Sequence, residues 1–443
     1  MQALLAAVFV IDYRIAVALI GGLFAVVLVV ARPVWGVGLL LAARLIGTGA
    51  TVFFRVGKIG IGPFELVLLT CVAALALQAL IRRQELWIAF PWKAPFFAMA
   101  AWMGTSLLWS VDRGDGLSDL IPLILVVANT TIILAFIKNT RDFKLMIWFW
   151  LGACVLIGVL SLAAASLGIQ FGASFQAAEG GGRATGLGQQ PNWFAMNLFF
   201  VLPTALAMGI AESKRWVRGV AFLSAVFVLL SMLSAGSRGG AYATLIGAGL
   251  TALGHRPFRR WFFVLTGLAL GGLVVLSFTD LFGIARALGR IASGVTINQM
   301  YRPWNWQACF EMFLDTSGRG IGAGGYTTLL PQYNYLLSQS LYDYPHGIPW
   351  EILAHYGVPG LLIVSWFIVV VVRLSVRTIA LAKGTGLELY AWSMPAAMAG
   401  YAAWSFVEFT YVEKPFWEWL ALYTALTFAL EREVGQRAAA QGG

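Results

Sequence analysis

Long apolar segments separated by short polar stretches make up most of this 443-residue chain. A helix of about 20 apolar residues spans the hydrocarbon core of a bilayer, and most of these segments approach that length. The best-defined segments are 60–81, 94–110, 119–137, 145–168, 191–211, 219–235, 239–253, 261–279, 347–372, 388–406 and 415–431. Residues 15–31 and 34–50 are also apolar, but polar side chains interrupt them. The pattern predicts an all-α polytopic membrane protein with about 12–13 transmembrane helices.

Residues 280–346 form the one long stretch that is not hydrophobic. We expect a loop outside the membrane that contains short helices, one over 281–292 and one over 303–314 that Pro303 starts. Five glycines between Gly318 and Gly325 predict a turn or a close approach of the backbone to another segment.

The apolar pattern divides the chain into four parts within one integral membrane domain. Transmembrane helices with short loops occupy 1–279, and the long loop occupies 280–346. C-terminal transmembrane helices follow over 347–431, and a cytoplasmic tail occupies 432–443. We expect this tail to be disordered after Arg437.

Composition supports a membrane environment, because 60% of the residues are hydrophobic and only 11% are charged. The net charge of +10 does not indicate a nucleic-acid partner, since the basic residues occur in alternate loops. These residues are Arg82, Arg83 and Lys93; Lys138, Arg141 and Lys144; Lys214, Arg215 and Arg218; Arg256, Arg259 and Arg260; and Arg373, Arg377 and Lys383. The positive-inside rule assigns these loops to the cytoplasm and therefore assigns 280–346 to the opposite side.

Few ionisable residues remain on the outer side, and their types suggest phosphate binding and proton transfer. The candidates are Arg183, Arg238, Arg302, Arg319 and His346. The planar guanidinium binds phosphate oxygens in bidentate fashion, so several arginines from separate loops suit a diphosphate. Histidine is the side chain best suited to remove a proton from a sugar hydroxyl near neutral pH. Structural roles stay open for each residue, because arginines at helix ends often extend toward the interface.

Other ionisable residues support weaker hypotheses. Asp112, Asp115 and Asp119 could bind a divalent cation, but we favour a solvated turn with an acid at the start of a helix. His355 is expected to be a core residue with satisfied hydrogen bonds. Arg44 lies within an apolar segment, as does Glu65, and charged groups in such segments are costly and often functional.

Four short segments occur in order between residues 183 and 360, and together they carry a resemblance. They are Gln190-Pro191-Asn192-Trp193-Phe194-Ala195 preceded by Arg183; Ser237-Arg238-Gly239-Gly240; Arg302-Pro303-Trp304-Asn305-Trp306 followed by Gly320-Ile321-Gly322-Ala323-Gly324; and His346 through Glu351 followed by Gly357-Val358-Pro359-Gly360. The chain resembles the O-antigen ligase and O-antigen polymerase superfamily of bacterial envelope enzymes. It departs from that family at Gly347, where an asparagine is usual.

The resemblance implies an inverting, metal-independent glycosyltransferase without a cofactor in the bacterial inner membrane. Its donor would be a glycan on undecaprenyl diphosphate at the periplasmic face, among membrane lipids. Arg238 and Arg302 would bind the diphosphate, and His346 would be the general base. Arg183 and Arg319 are weaker candidates for donor contacts.

Two questions of function stay open at the level of sequence. We favour a ligase, whose acceptor is the lipid A-core, over a polymerase that extends a growing glycan. A transporter or flippase of lipid-linked glycans is the alternative from another class. Such a protein tends to place ionisable residues near the membrane midplane and to contain internal repeats, and we find neither pattern here.

Overall fold

A computed structural model describes most of the chain, and the structural statements below concern the residues that it describes. These are residues 23, 26–45, 54–56, 59–82, 89–166, 186, 190–256, 258–260, 262–264, 267, 271, 297–334, 345–408 and 414–442.

The described part of the chain is built almost entirely of helices, as predicted. The helices are α1 (Pro33–Leu45), α2 (Pro63–Arg82), α3 (Lys93–Ser106), α4 (Arg113–Phe136), α5 (Thr140–Ser166), α6 (Pro191–Ala211), α7 (Arg215–Ser234), α8 (Arg238–Gly254), α9 (Ile297–Asp315), α10 (Tyr326–Tyr333), α11 (Ile348–Ala382), α12 (Glu388–Ser405) and α13 (Lys414–Gly442). The only described strands, β1 (Phe54–Val56) and β2 (Ile59–Ile61), form an antiparallel hairpin between α1 and α2.

Six of the described helices are long and apolar enough to cross a membrane: α2, α4, α5, α6, α7 and α11. This finding confirms a multi-pass membrane protein. Four further predicted segments form α3, α8, α12 and α13. Most of the predicted segment 261–279 lies outside the described residues, as do 15–22 and the predicted helix over 281–292.

Side chains that accept hydrogen bonds from the first turn fix where three of these helices begin. The Asp112 carboxylate caps α4 by accepting from the Asp115 amide at 2.9 Å. Gln190 caps α6 through the Trp193 amide at 3.0 Å, and Ser237 caps α8. Asp112 therefore behaves as an acid at the start of a helix, which is the interpretation we favoured.

The structure corrects three predicted boundaries. Helix α9 begins at Ile297, so Pro303 lies inside it and does not start it. Helix α11 continues past the predicted end at residue 372 to Ala382, with a break at Gly357. Basic residues can lie within its last turns, because their long aliphatic stems carry the charged heads to water. The predicted disorder after Arg437 is wrong: α13 continues to Gly442, through an alanine-rich stretch with high helix propensity.

The ends of the helices with basic residues gather at one end of the bundle. Arg432 donates to the Lys138 carbonyl at 2.8 Å, and Lys144 pairs with Glu212 at 3.0 Å. Tyr390 also donates to Glu212, at 2.9 Å. Loops that the charge pattern assigned to one side are therefore neighbours in space, except that 83–88 of the first basic loop lie outside the described residues.

The glycine run after α9 packs against the backbone of α11 at the other end of the bundle. The Ile321 amide donates to the Ala354 carbonyl at 2.9 Å, and the Gly322 amide donates to the His355 carbonyl at 3.0 Å. Gly320 has φ +85°, and a Cβ there would lie 2.5 Å from the His355 carbonyl oxygen. The predicted close approach is confirmed, and it ties the outer segment to the start of a membrane helix.

Candidate functional site

The carboxylate of Glu408 joins three other side chains at the end of the bundle opposite the basic loops. Its Oε2 accepts from Arg302 Nη2 at 2.6 Å and from Asn192 Nδ2 at 3.1 Å. Its Oε1 lies 3.2 Å from His346 Nδ1. Only 3% of the Glu408 side chain is exposed. A buried carboxylate is costly unless it is paired and hydrogen-bonded, and these three partners meet that requirement.

Separate helices bring these residues together. Asn192 is the second residue of α6, which Gln190 caps. Glu408 follows the last residue of α12 by three positions, and His346 precedes α11 by two. Arg302 lies on α9, outside the membrane helices. The cluster therefore depends on the long predicted loop folding back over the helix ends.

Two tryptophans hold the backbone at His346. The Trp306 indole N–H donates to the His346 carbonyl at 3.3 Å, and the Trp306 ring stacks on Trp350 at 5.4 Å between ring centres. His346 has a positive φ of 55°, a conformation that non-glycine residues rarely adopt and that clusters at functional sites. The aromatic pair stabilises this conformation.

The neighbouring Gly347 explains a departure from the family pattern. A Cβ at this position would lie 2.6 Å from the Phe406 carbonyl oxygen, which is closer than real Cβ contacts. An asparagine could not enter without moving the segment that carries Glu408. In this chain a glycine is what lets that segment approach the histidine so closely.

The contact with Glu408 indicates the protonation pattern of the histidine. A carboxylate accepts hydrogen bonds, so the Nδ1 atom of His346 carries the proton in this contact. In the neutral ring the lone pair then belongs to Nε2. This tautomer is inferred from the hydrogen bond, and it is the form required of a base that acts through Nε2.

Arg238 begins α8 at the same end of the bundle. A Cβ on Gly239 would overlap the Trp404 indole, and one on Gly240 would lie 3.4 Å from Ala195 Cβ. The start of α8 is therefore packed between the start of α6 and the end of α12. The residues that it contacts there, Ala195 and Trp404, lie about one helical turn along the chain from Asn192 and Glu408. The glycine pair is what permits this packing.

Of the two weaker candidates, the structure describes only Arg319, and its contact is with Trp109 and not with the Glu408 cluster. The Arg319 guanidinium carbon lies 5.0 Å from the ring centre of Trp109, in the glycine run that packs near Gly357. Gly357 is about 14 Å along α11 from its first residue, at 1.5 Å per residue. Arg183 lies outside the described residues.

Sequence reasoning missed Glu408 and the contact that Asn192 makes with it. Arginines and a histidine were expected to meet a phosphate on the outer side, and the outer carboxylates considered were Asp112, Asp115 and Asp119. Glu408 was nevertheless visible as an acid directly after an apolar segment, in an outer loop. Glu413 lies in the same loop, so position alone did not single out one of the two.

A second group of charges joins α1, α2 and α13. Arg44 lies 4.0 Å from Glu418, and Lys414 lies 3.5 Å from Glu65. Glu65 also accepts from the Gly62 amide at 3.0 Å, at the start of α2. These residues lie close to helix ends and not at mid-span, so they serve to hold helices together.

Two further predictions concern a metal and the core. Among the residues that the structure describes, no three His, Cys, Asp or Glu side chains lie close enough to hold a metal ion. His355 is buried as expected. The prediction that its hydrogen bonds are satisfied is wrong within the described part of the chain, because neither ring nitrogen has a hydrogen-bond partner there. The edge of its ring contacts Tyr326.

A known protein family matches part of the chain. Residues 221–365, about a third of the chain, match the family model described as O-antigen ligase. No curated protein matches the chain. The matched region includes Arg238, Arg302, Arg319 and His346, and it ends before Glu408. The resemblance to this superfamily is thereby confirmed over three of the four short segments, and Gln190 to Ala195 precede the matched region.

Proposed function

We propose that this chain is an inverting, metal-independent glycosyltransferase. It carries an O-antigen ligase domain and is therefore a membrane enzyme of the O-antigen ligase or polymerase kind. It would move a glycan from undecaprenyl diphosphate to the lipid A-core at the periplasmic face of the inner membrane. The observation that carries this proposal is the Glu408 carboxylate, which joins the candidate base His346 to the candidate phosphate ligand Arg302.

His346 would act as the general base. Glu408 holds the ring through Nδ1 at 3.2 Å, which orients Nε2 as the proton acceptor and stabilises the imidazolium once the proton has arrived. The acceptor hydroxyl loses its proton to Nε2 as its oxygen attacks the anomeric carbon. The bond from that carbon to the diphosphate breaks on the opposite face, so the configuration inverts and undecaprenyl diphosphate leaves.

Arg302 and Arg238 would bind the diphosphate. Glu408 engages Arg302 through Nη2, and a guanidinium has five N–H donors in a planar fork. The remaining donors suit phosphate oxygens, while the carboxylate holds the fork in one orientation. Charge that develops on the leaving diphosphate would be met by these two arginines.

Three helix starts add to this positive environment. Helices α6, α8 and α11 begin at Pro191, Arg238 and Ile348, next to the residues of the Glu408 cluster. The N-terminus of a helix carries a partial positive charge and exposed N–H groups, which favour anions. The arginines and helix starts supply positive charge for a diphosphate, so this mechanism does not require a divalent cation.

A repeat-unit polymerase of the same superfamily is the first alternative. Polymerase and ligase would share the donor, the base and the diphosphate contacts, and would differ only in the acceptor. The family match is compatible with both. The competing acceptors, lipid A-core and a lipid-linked glycan, distinguish the two when offered to the same preparation.

A flippase for lipid-linked glycans is the alternative from another class. It would also need cations for a diphosphate, but it would not need a histidine held by a carboxylate. The Glu408 cluster and the Arg44–Glu418 group both lie near helix ends, whereas transport sites lie near the membrane midplane. This distribution supports an enzyme.

The test uses purified protein in lipid nanodiscs with an undecaprenyl-diphosphate glycan. We expect glycosylated lipid A-core to form in the presence of EDTA, and no product with His346→Ala. Transfer to a lipid-linked glycan alone would replace the ligase by the polymerase. Loss of wild-type activity in EDTA and its return with magnesium would contradict the metal-independent mechanism and direct attention to Asp112, Asp115 and Asp119.

A further inference from the structure

Asn192 joins the Glu408 cluster from a different part of the fold than the other two partners of that carboxylate. Arg302 and His346 both lie within residues 280–346. Asn192 is the second residue of α6, which is the most buried of the six described helices that can cross a membrane. Asn192 therefore links Glu408 to the interior of the bundle, whereas the other two partners link it to the outer segment.

The start of α6 is held firmly on both sides of Asn192. The Gln190 side chain caps the helix, and Pro191 at its first position is buried. A proline at this position has the backbone φ that a helix requires. Phe194 is completely buried two residues further on. The Asn192 side chain therefore extends from a backbone with little freedom to move.

The contact with Glu408 fixes which atom of the Asn192 amide faces the carboxylate. A carboxylate only accepts hydrogen bonds, so the amide presents its nitrogen, 3.1 Å from Oε2. Arg302 donates to the same oxygen at 2.6 Å, and His346 Nδ1 lies 3.2 Å from the other oxygen, Oε1. Two donors on Oε2 set the direction of the carboxylate plane, and that direction brings Oε1 to the imidazole.

A charged donor by itself would hold Glu408 poorly once a diphosphate binds to Arg302. The diphosphate brings negative charge next to the carboxylate, and like charges repel. It also attracts the guanidinium toward itself. The Asn192 amide is neutral, so a phosphate does not draw it away from Glu408 by charge. A lysine at this position would compete for the phosphate, and an aspartate would add to the repulsion.

We propose that Asn192 is a positioning residue whose amide keeps Glu408 against His346 while Arg302 carries the diphosphate. This inference rests on the proposed function, which assigns the base and the diphosphate contact. Asn192 touches neither substrate and acts through Glu408. The outer segment then supplies the groups that meet the substrates, and α6 supplies the fixed point from which the base is oriented.

Asn192→Ala tests this role through the separate values of kcat and the donor KM, measured in lipid nanodiscs at saturating acceptor. We expect kcat to fall about tenfold, which corresponds to about 1.4 kcal/mol, the scale of one hydrogen bond to a charged group. The donor KM should stay unchanged, because Arg302 and Arg238 remain. A lost structural contact would lower thermal stability without this selective loss of kcat.

Asn197→Ala is the matched control for the loss of an amide from the same helix. The Asn197 amide donates to the Trp193 carbonyl at 3.0 Å, one turn earlier in α6, and has no contact with Glu408 in the described part of the chain. Its removal should lower the thermal unfolding temperature and leave kcat unchanged.

A double-mutant cycle shows whether the amide acts through Glu408. In the Glu408→Ala background, adding Asn192→Ala should leave kcat where Glu408→Ala alone puts it, because no carboxylate remains to be positioned. Losses that multiply would overturn the proposal, as would a wild-type kcat in folded Asn192→Ala. A raised donor KM with unchanged kcat would overturn it too, by assigning Asn192 to the donor. Absence of product from the wild-type protein would contradict the proposed function itself and overturn this inference with it.

Discussion

Two glutamates at opposite ends of the bundle gather donors from separate helices, yet their partners differ in chemistry. Glu212 accepts from Lys144 at 3.0 Å and from Tyr390 at 2.9 Å. Glu408 accepts from Arg302 and Asn192, and it holds His346 at 3.2 Å. Lysine and tyrosine ordinarily keep their protons at neutral pH, whereas histidine exchanges its proton there.

This difference separates a structural contact from a reactive one. Both carboxylates tie helix ends together, and distance alone would not distinguish them. Only Glu408 orients a side chain that can accept a proton beside an arginine that can bind phosphate. Substitutions at the two ends should therefore affect different quantities: turnover at the Glu408 end and stability at the Glu212 end.

The largest effect is expected at His346. His346→Ala should lower turnover by about two to four orders of magnitude, the usual contribution of a general base, while donor binding persists. The activity of the wild-type protein should fall as the medium is acidified, because a protonated imidazole cannot accept the acceptor's proton. Initial rates of transfer across a pH series measure both effects.

His355→Ala is the matched control for the loss of an imidazole. His355 is buried against Tyr326 and the glycine run, so its removal should lower thermal stability through packing and leave the pH profile unchanged. Turnover by His346→Ala equal to that of the wild type would exclude the histidine as the base.

The next effect is expected at the two arginines. Arg302→Ala and Arg238→Ala should each reduce transfer by about two to three orders of magnitude, the usual cost of one donor to a developing negative charge. The corresponding lysine variants should recover little, because an ammonium cannot reproduce the bidentate fork. Rates at saturating acceptor and varied donor measure the loss.

Arg256→Ala serves as the control for a lost positive charge. Arg256 is exposed at the basic end of the bundle, far from the Glu408 cluster, and its removal should leave transfer unchanged. If Arg256→Ala proves as damaging as Arg238→Ala, the arginines act through general charge and not through contact with the diphosphate.

A smaller effect is expected at Glu408 itself. Glu408→Gln keeps an acceptor oxygen but removes the charge that orients the ring and stabilises the imidazolium, so turnover should fall, by less than with His346→Ala because the base itself remains. Thermal unfolding followed alongside the transfer rate shows whether the variant is folded. Turnover equal to that of the wild type in folded Glu408→Gln would contradict the assignment.

The smallest effect is expected at Glu212. Glu212→Gln should leave transfer unchanged and lower the free energy of unfolding by about 1 kcal/mol, a small value because the Lys144 partner is partly exposed. Thermal unfolding followed alongside the transfer rate measures the two quantities. A loss of transfer as large as that of Glu408→Gln would erase the distinction between the two ends.

The sequence predicted the membrane helices well because bilayer thickness sets the length of an apolar segment. Segment 191–211 coincides with α6, and segment 388–406 with α12 to within a residue. The predicted helix boundaries were wrong where they rested on charged residues or on a proline. Arg373 and Arg377 were assigned to a loop but lie on α11, and Pro303 was assigned to a helix start but lies within α9.

The candidate site was predicted in its residue types but not in its arrangement. Arginine and histidine were recognisable because few ionisable residues remain on the outer side. Glu408 was not recognised, since its role depends on contacts with Asn192, Arg302 and His346. These residues precede it in the chain by 216, 106 and 62 positions. Arg319 was included for its charge, and only the fold shows that it packs on Trp109.

The most direct test of the central claim follows both products of the wild-type protein in nanodiscs. A nanodisc exposes both leaflets to one solution, so transport across it yields no chemical product. The account predicts that glycosylated lipid A-core and free undecaprenyl diphosphate accumulate in equal amounts, and that His346→Ala produces neither. Donor that is bound but never cleaved by the wild-type protein, with every acceptor supplied, would contradict the claim that this protein is a transferase.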